Sequence, residues 1–171
     1  MKKMNNKNPV EGKIIEMRET MISDIDFVMN LERLPENRVF VLGNTEKEHM
    51  DLINNPDDFH LIVQECESQK RVGFLLMSRG TGIKRHNLEL RRIVIKDKGK
   101  GYGRITLDLV KDFAFKSNNF HRLWLDVYAS NRVARRLYER EGFEVEGILR
   151  DCLQTGEKEY TDLIVMSIIG N

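Results

Sequence analysis

Apolar positions along this chain change their period several times. Ile14-Ile15-Glu16-Met17 crowds apolar residues into a short strand. Ser23-Asp24-Ile25-Asp26 then reads as a helix start, with Ser23 as cap and acidic residues in the first turn. Ile25, Val28 and Met29 share one face of that helix, and Pro35 and Asn37 break it. Thr45-Glu46-Lys47-Glu48 is a capping box that opens a second helix through Leu52 and Ile53. After the turn Asn55-Pro56-Asp57-Asp58, strand patterns take over. Residues 59–65 and 72–77 form a hairpin around a polar turn, and 87–95 is the next strand beyond a polar loop. A helix follows from about residue 103 to 116, then a strand at 123–128. Ser130 or Asn131 caps another helix, which Gly142 ends, and residues 143–149 and 160–168 make a last strand pair. The order β-α-α-β-β-β-α-β-α-β-β predicts an α/β protein, a mixed sheet of about seven strands covered by about four helices.

The strand at 87–95 carries a break in phase. Leu88 and Leu90 alternate with Glu89 and Arg91, and strict alternation would put Ile93 and Ile95 on the face of Glu89. Two readings stand. One is a β-bulge near Arg91-Arg92, which shifts the phase and frees a backbone N–H able to polarise a carbonyl. The other is a strand end buried on both faces.

Lys98-Gly99-Lys100-Gly101-Tyr102-Gly103-Arg104 lies between this strand and the helix marked by Ile105, Leu109, Val110 and Phe113. Glycines there bring N–H groups to a helix N-terminus, a setting that suits phosphate oxygens. The nucleoside-triphosphate loop is excluded, because its longer spacer and Gly-Lys-Ser/Thr ending are missing. The dinucleotide fingerprint is excluded as well, because its third glycine would fall at Thr106. The spacing that fits is basic-x-x-Gly-x-Gly, from Lys98 through Gly101 and Gly103.

Composition narrows the partners. The 171 residues suit one domain, with residues 1–11 as a loose tail and 12–171 as the domain. Twenty-eight basic against 27 acidic residues leave a net charge of +1, which gives no reason to expect nucleic acid. Cys66 and Cys152 fit no metal or redox spacing and read as reduced thiols of a cytoplasmic protein, with a single bridge between them as the alternative. No signal peptide is expected, and no apolar run approaches the roughly 18–20 residues that span a bilayer. His49, His60 and His86 form no metal spacing, so no metal is expected, and His121 reads as a surface or cap residue.

Four linked pieces carry a family resemblance: the strand at 89–95, the loop at 98–104, Asn131-x-x-Ala134-x-x-x-Tyr138, and Glu141-Gly142-Phe143-x-x-Glu146-Gly147. Over roughly residues 14–168 the chain resembles the GCN5-related N-acetyltransferases. Within them it looks most like the branch holding ribosomal-protein Nα-acetyltransferases and spermidine N-acetyltransferases. One departure is Lys98, where the family more often has Gln or Arg. The resemblance implies the acyl-CoA N-acyltransferase fold, with a mostly antiparallel sheet splayed between its fourth and fifth strands. It also implies acetyl-CoA as co-substrate. The pyrophosphate would rest on Lys98, Gly99, Lys100, Gly101, Tyr102, Gly103 and Arg104, and the pantetheine arm on Ile93, Val94 and Ile95. Asn131 would add a hydrogen bond to the arm, and the alternative for Asn131 is a plain helix cap.

Acetyl transfer to an amine needs a base, a polarised thioester carbonyl and a proton donor for the leaving thiolate. Tyr138 stands where the family has its catalytic tyrosine, seven residues after Asn131 and on the same helix face, which would also place it beside the cofactor. Its alternative is packing on a stripe with Val133, Ala134 and Leu137. Glu89 is the candidate base, and its alternative is an ion pair with Arg91. Asp126 lies in the facing strand with its direction open. The upstream helices hold Asp24, Asp26, Glu32, Glu36, Asp57 and Asp58, with Arg33 and Arg38 among them. Such a set could recruit a cationic acceptor, although solvated helix faces look the same. The expected function is N-acetylation of a primary amine on a polyamine, an amino-acid-like molecule or a protein N-terminus. A non-catalytic acyl-CoA sensor is the alternative. The last hairpin could shape the acceptor pocket or a homodimer contact.

Overall fold

In the computed structural model, which describes residues 14–170, two apolar clusters lie on opposite faces of one sheet. The tail expected at residues 1–11 lies outside the described residues. The sheet has seven strands in the order β1-β2-β3-β4-β5-β7-β6. They are β1 (Ile15–Glu19), β2 (Asp58–Glu65), β3 (Arg71–Arg79), β4 (Asn87–Ile95), β5 (Arg122–Tyr128), β6 (Glu144–Gly156) and β7 (Glu159–Ile169). Every neighbouring pair is antiparallel except β4 and β5.

Neighbouring residues of a strand point to opposite faces. Leu61, Val63, Leu75, Met77, Leu88 and Leu90 feed the larger cluster, while Ile62, Phe74, Leu76 and Val94 feed the smaller one. Two helices, α4 (Tyr102–Lys111) and α5 (Arg132–Arg140), cover the larger cluster with Leu107, Val110 and Tyr138. The smaller cluster is covered by α1 (Ile25–Arg33) through Val28 and Leu31, and by Leu52 of α3 (Glu46–Asn54). Thus β2 and β3 are buried on both faces, which explains their unbroken apolar runs.

The phase break in β4 is a bulge. Leu76 lies opposite Arg92 and Met77 opposite Leu90, so Arg91 has no partner on β3. The extra residue returns Ile93 to the larger cluster, with Leu88 and Leu90, and sends Val94 to the smaller one. Both faces at the end of β4 are therefore covered as well. On its other side β4 meets β5 only at Asn87↔Arg122, Leu88↔Leu123 and Glu89↔Trp124. Beyond Glu89 the two strands diverge and leave the rest of β4 without a strand neighbour on that edge.

Three expectations change. Ser23 makes no cap. A 3-10 turn, Ile22–Asp24, precedes α1, and Asp24 turns inward to Arg18 at 2.6 Å, Arg71 at 3.1 Å and the Met21 N–H at 2.9 Å. Pro35 breaks α1 but then starts a short helix of its own, α2 (Pro35–Arg38), giving five helices among the described residues. The last hairpin runs well past its apolar pattern, because β6 is exposed almost throughout and needs no alternation.

Candidate active site

The glycine loop is folded as a cradle. Gly99 and Gly101 have φ of 83° and 79°, a region open to glycine at little cost, and a Cβ built on either would project into open space. Gly101 is the N-cap of α4, whose first N–H groups have no partner within the helix. Gly103 serves packing instead: a Cβ there would stand 3.4 Å from Leu137 of α5. The cations around the cradle are held by neighbours. Lys98 Nζ donates to Asn37 Oδ1 at 3.0 Å, and Asn37 in turn donates to the Leu31 carbonyl at 2.7 Å. Lys100 and Lys70 flank Asp97 at 3.3 and 3.4 Å and hold its carboxyl below the usual range. Arg104 lies 3.4 Å from Glu141. The Tyr102 hydroxyl donates to Glu65 at 2.8 Å, which raises its own pKa. Two open glycines, a helix N-terminus and three cations suit a doubly charged pyrophosphate.

Ile93, Val94 and Ile95 pair with Leu75, Phe74 and Gly73 of β3 and turn their other backbone edge to the gap. That free edge suits an extended, amide-containing arm that adds like a strand. Asn131 caps α5, with Oδ1 accepting from the Ala134 N–H at 3.1 Å. Its amide nitrogen has no partner among the described residues.

Glu89 and Asp126 flank the divergence of β4 and β5 on the sheet face opposite the larger cluster, and Tyr138 of α5 lies in that cluster within range of the Asp126 charge. Glu89 occupies the last paired position of β4, opposite Trp124, and Asp126 follows Trp124 on the same face of β5. Burial raises the Glu89 carboxyl, against the pull of Arg91 and with Asp126 and Asp58 adding to it. Asp126 is open to the cleft, yet the protein around it raises its pKa too. Burial pushes the Tyr138 hydroxyl up to about 12, with a contribution from the Asp126 charge. The Tyr138 ring is buried edge-on to Phe143, at 5.7 Å between centroids. Val133 is exposed, so the apolar stripe weighed for Tyr138 does not include it. Among the described residues Glu89 forms no ion pair with Arg91. Arg91 instead approaches Asp58 at 3.8 Å and donates to the Ser78 hydroxyl at 3.3 Å.

Beside the bulge lies a groove of about 290 Å³ lined by Glu48 and Asp51 of α3, Asp58 of β2, Asn44 and Arg91. Of the acidic residues singled out upstream, only Asp58 lines it. Asp24 and Glu32 are buried in ion pairs, Asp26 and Glu36 are exposed elsewhere, and Asp57 is half-buried outside the lining. Glu48 had read as a capping residue alone, and it does cap, accepting from the Thr45 N–H at 2.7 Å. The spacing of Glu48 and Asp51, three apart on one helix face, was the signal for the groove. His49 and His60 are buried in a hydrogen-bonded chain, whereas His86 and His121 are exposed. Cys66 and Cys152 are unbridged. The described residues hold no helix long and apolar enough to cross a membrane and no His/Cys/Asp/Glu group suited to a metal ion.

A glycine cradle at the end of a bulged strand, and a sheet opened beside that bulge onto raised carboxyls and a tyrosine, define an acyl-CoA-dependent transferase. The sequence pattern of the acetyltransferase (GNAT) family matches residues 25–143, and the chain belongs to that family. It is an N-acetyltransferase that takes its acetyl group from acetyl-CoA. Solved structures share the fold. Spermidine N-acetyltransferase from Vibrio cholerae, in complex with CoA and spermine, is 23% identical with a TM-score of 0.79, over 91% of this chain and 95% of that one. A dodecameric structure of the Vibrio cholerae enzyme in an intermediate state is 23% identical at a TM-score of 0.74, over 91% and 93%. An acetyltransferase of the GNAT family from Bacillus anthracis is 19% identical at 0.78, over 94% and 97%.

Proposed function

We propose that this enzyme acetylates a primary amine of a polycationic small molecule of the polyamine class, by direct transfer in a ternary complex. The observation that carries this reading is the pair of raised carboxyls, Glu89 and Asp126, flanking the divergence of β4 and β5 beside a groove whose lining includes Glu48, Asp51 and Asp58. Two of the similar structures described above are of a spermidine N-acetyltransferase, one with spermine bound, which supports the same class.

Bound acetyl-CoA supplies a thioester. A C–N bond to the amine forms, the C–S bond breaks, and the thiol leaves. The chain supplies the rest. The glycine loop and the free edge of β4 fix the cofactor. The bulge at Arg91 offers backbone N–H to polarise the carbonyl. An alkyl ammonium has a pKa of about 10.4, so its proton must go first, and Glu89 accepts it, directly or through water. A raised carboxyl is the better base, because its pKa lies nearer the working pH. Tyr138, with its pKa near 12, keeps its proton at neutral pH. A thiol is more acidic than this hydroxyl by roughly 3 units, so Tyr138 acts chiefly by a hydrogen bond to the developing thiolate. Asn131 would use its remaining amide donor on the pantetheine arm.

The test is thiol release from acetyl-CoA with spermidine, spermine, N-terminal peptides and free amino acids as acceptors. Polyamines should turn over best, with smaller rates for the rest. No thiol release with any amine overturns the reading. Unbridged Cys66 and Cys152 fit a reducing compartment, and the cytoplasm is the proposed one. Exposed Val145, Ile148 and Leu149 on the edge strand β6 support a homodimer contact, which sedimentation of the purified chain would test.

A further inference from the structure

A buried chain of polar side chains joins the two walls of the acidic groove from behind. Arg92 follows the unpaired Arg91 directly. Its guanidinium bonds to Glu32 of α1 and donates to the Leu42 carbonyl at 2.6 Å. The other Glu32 oxygen accepts from the Asn44 N–H at 3.0 Å and meets His49 Nε2 at 3.3 Å. His49 Nδ1 lies 3.0 Å from His60 Nε2, and His60 Nδ1 lies 2.9 Å from the Thr20 hydroxyl. Glu32 and His49 are 2% and 0% exposed.

The donors order themselves along this chain. Burial opposes ionisation of Glu32, but His49, Arg92 and the Asn44 N–H outweigh it and hold the carboxyl below its usual range. An ionised Glu32 accepts only, so His49 presents a proton to it on Nε2, and His60 and the Thr20 hydroxyl continue the line. Burial together with the neighbouring His49 lowers the pKa of His60 to about 4, which keeps that ring neutral. The ion pair of Arg92 with Glu32 therefore ends a buried, hydrogen-bonded line that runs through both histidines to Thr20, with no unsatisfied polar side-chain atom among the described residues. A filled buried network fixes geometry, and breaking it is costly.

The positions it fixes are the ones the groove uses. His49 sits between Glu48 and Asp51 in α3 and points inward while they line the groove, so its bond sets the rotation of that helix. Arg92 does the same for the strand that presents Arg91. Resting on the acceptor reading given above, we propose that Glu32 and His49 are positioning residues, holding the acidic wall of α3 in register with the β4 bulge so that the acceptor amine meets the reacting centre.

The test compares Glu32→Gln with Asp24→Asn. Asp24 is the other buried carboxylate of this part of the molecule, paired with Arg18 and Arg71, outside the groove lining and not hydrogen-bonded to Glu32 or His49. Both variants should lose thermal stability. Only Glu32→Gln should raise the acceptor KM, by about tenfold or more, with the acetyl-CoA KM held within about twofold. Amide exchange in Glu32→Gln should quicken over residues 39–54 and 90–93 and stay unchanged over 98–104. His49→Gln gives the same comparison where Glu32→Gln does not fold. If wild type turns over amines and both variants leave the acceptor KM unchanged, or shift both KM values equally, the positioning role is overturned and the acceptor reading stands. If wild type releases no thiol with any amine, both fall.

Discussion

Residues 98–104 form the glycine cradle, the proposed cofactor site, from one unbroken stretch, whereas the groove beside the bulge draws Glu48 and Asp51 from α3, Asp58 from β2 and Arg91 from β4. The cradle works through backbone: two glycines at positive φ and the free N–H groups of α4. The groove works through side chains whose places depend on tertiary packing. A backbone device tolerates changes of side chain, and a side-chain device does not. Between them lies the proposed reacting centre, with Glu89 on β4, the strand that carries Arg91 and leads into the cradle.

The largest expected effect falls at that centre. Glu89→Gln should lower kcat/KM by about 100-fold or more. Wild-type activity should rise with pH through the elevated Glu89 pKa, because the base works only when ionised, and the variant should lose that limb. A pH–rate profile with the limb intact would assign the base elsewhere. Tyr138→Phe should lower kcat by about 10- to 100-fold and leave acetyl-CoA affinity, measured by calorimetry, unchanged. A kcat near wild type removes Tyr138 from the chemistry.

The contrast itself is tested by a matched pair. Glu48→Gln with Asp51→Asn should raise the KM for a polyamine about tenfold and leave that for acetyl-CoA alone, with the gap narrowing as salt rises. Lys98→Gln should weaken acetyl-CoA binding by only about two- to threefold, because the cradle holds phosphate mainly through N–H groups. A tenfold loss there would mean that side chains carry the cradle too. The smallest effect concerns acid stability. The His60 pKa is about 4 in the fold and 6.5 in its ordinary state, so the unfolded chain binds more protons between those values. The stability of the neutral ring is present in full above about pH 6.5 and is lost as the pH falls toward 4. Melting curves against pH should fall more steeply for wild type than for His60→Asn over that range.

What could be read from the chain follows the same division. The spacing of Gly99, Gly101 and Gly103 and the shifted phase after Leu90 are local; the loop lies where the glycines put it, and the bulge is one of the two readings the phase allowed. Asn131 was legible as a cap for the same reason. The groove was not, because Asp58 and Arg91 come together only after β2, β3 and β4 have paired. Glu32 looked like one more surface acid on α1 and proved to be buried between Arg92 and His49. Nothing within α1 signals an arginine sixty residues away. The extent of β6 was hidden for a different reason: a strand exposed on both faces has no core to impose alternation.

The unpaired Arg91 also decides which genetic changes can reach this enzyme's core function. No substitution at 91 removes the extra residue, since β4 stays one longer than the stretch of β3 it faces. Losing a codon does remove it. Arg92 would then follow Leu90 directly, Ile93 and Ile95 would keep their face, and the bulge with its spare backbone N–H would vanish in one event. Point mutations at Glu48, Asp51 or Asp58 change the groove and leave that bulge in place.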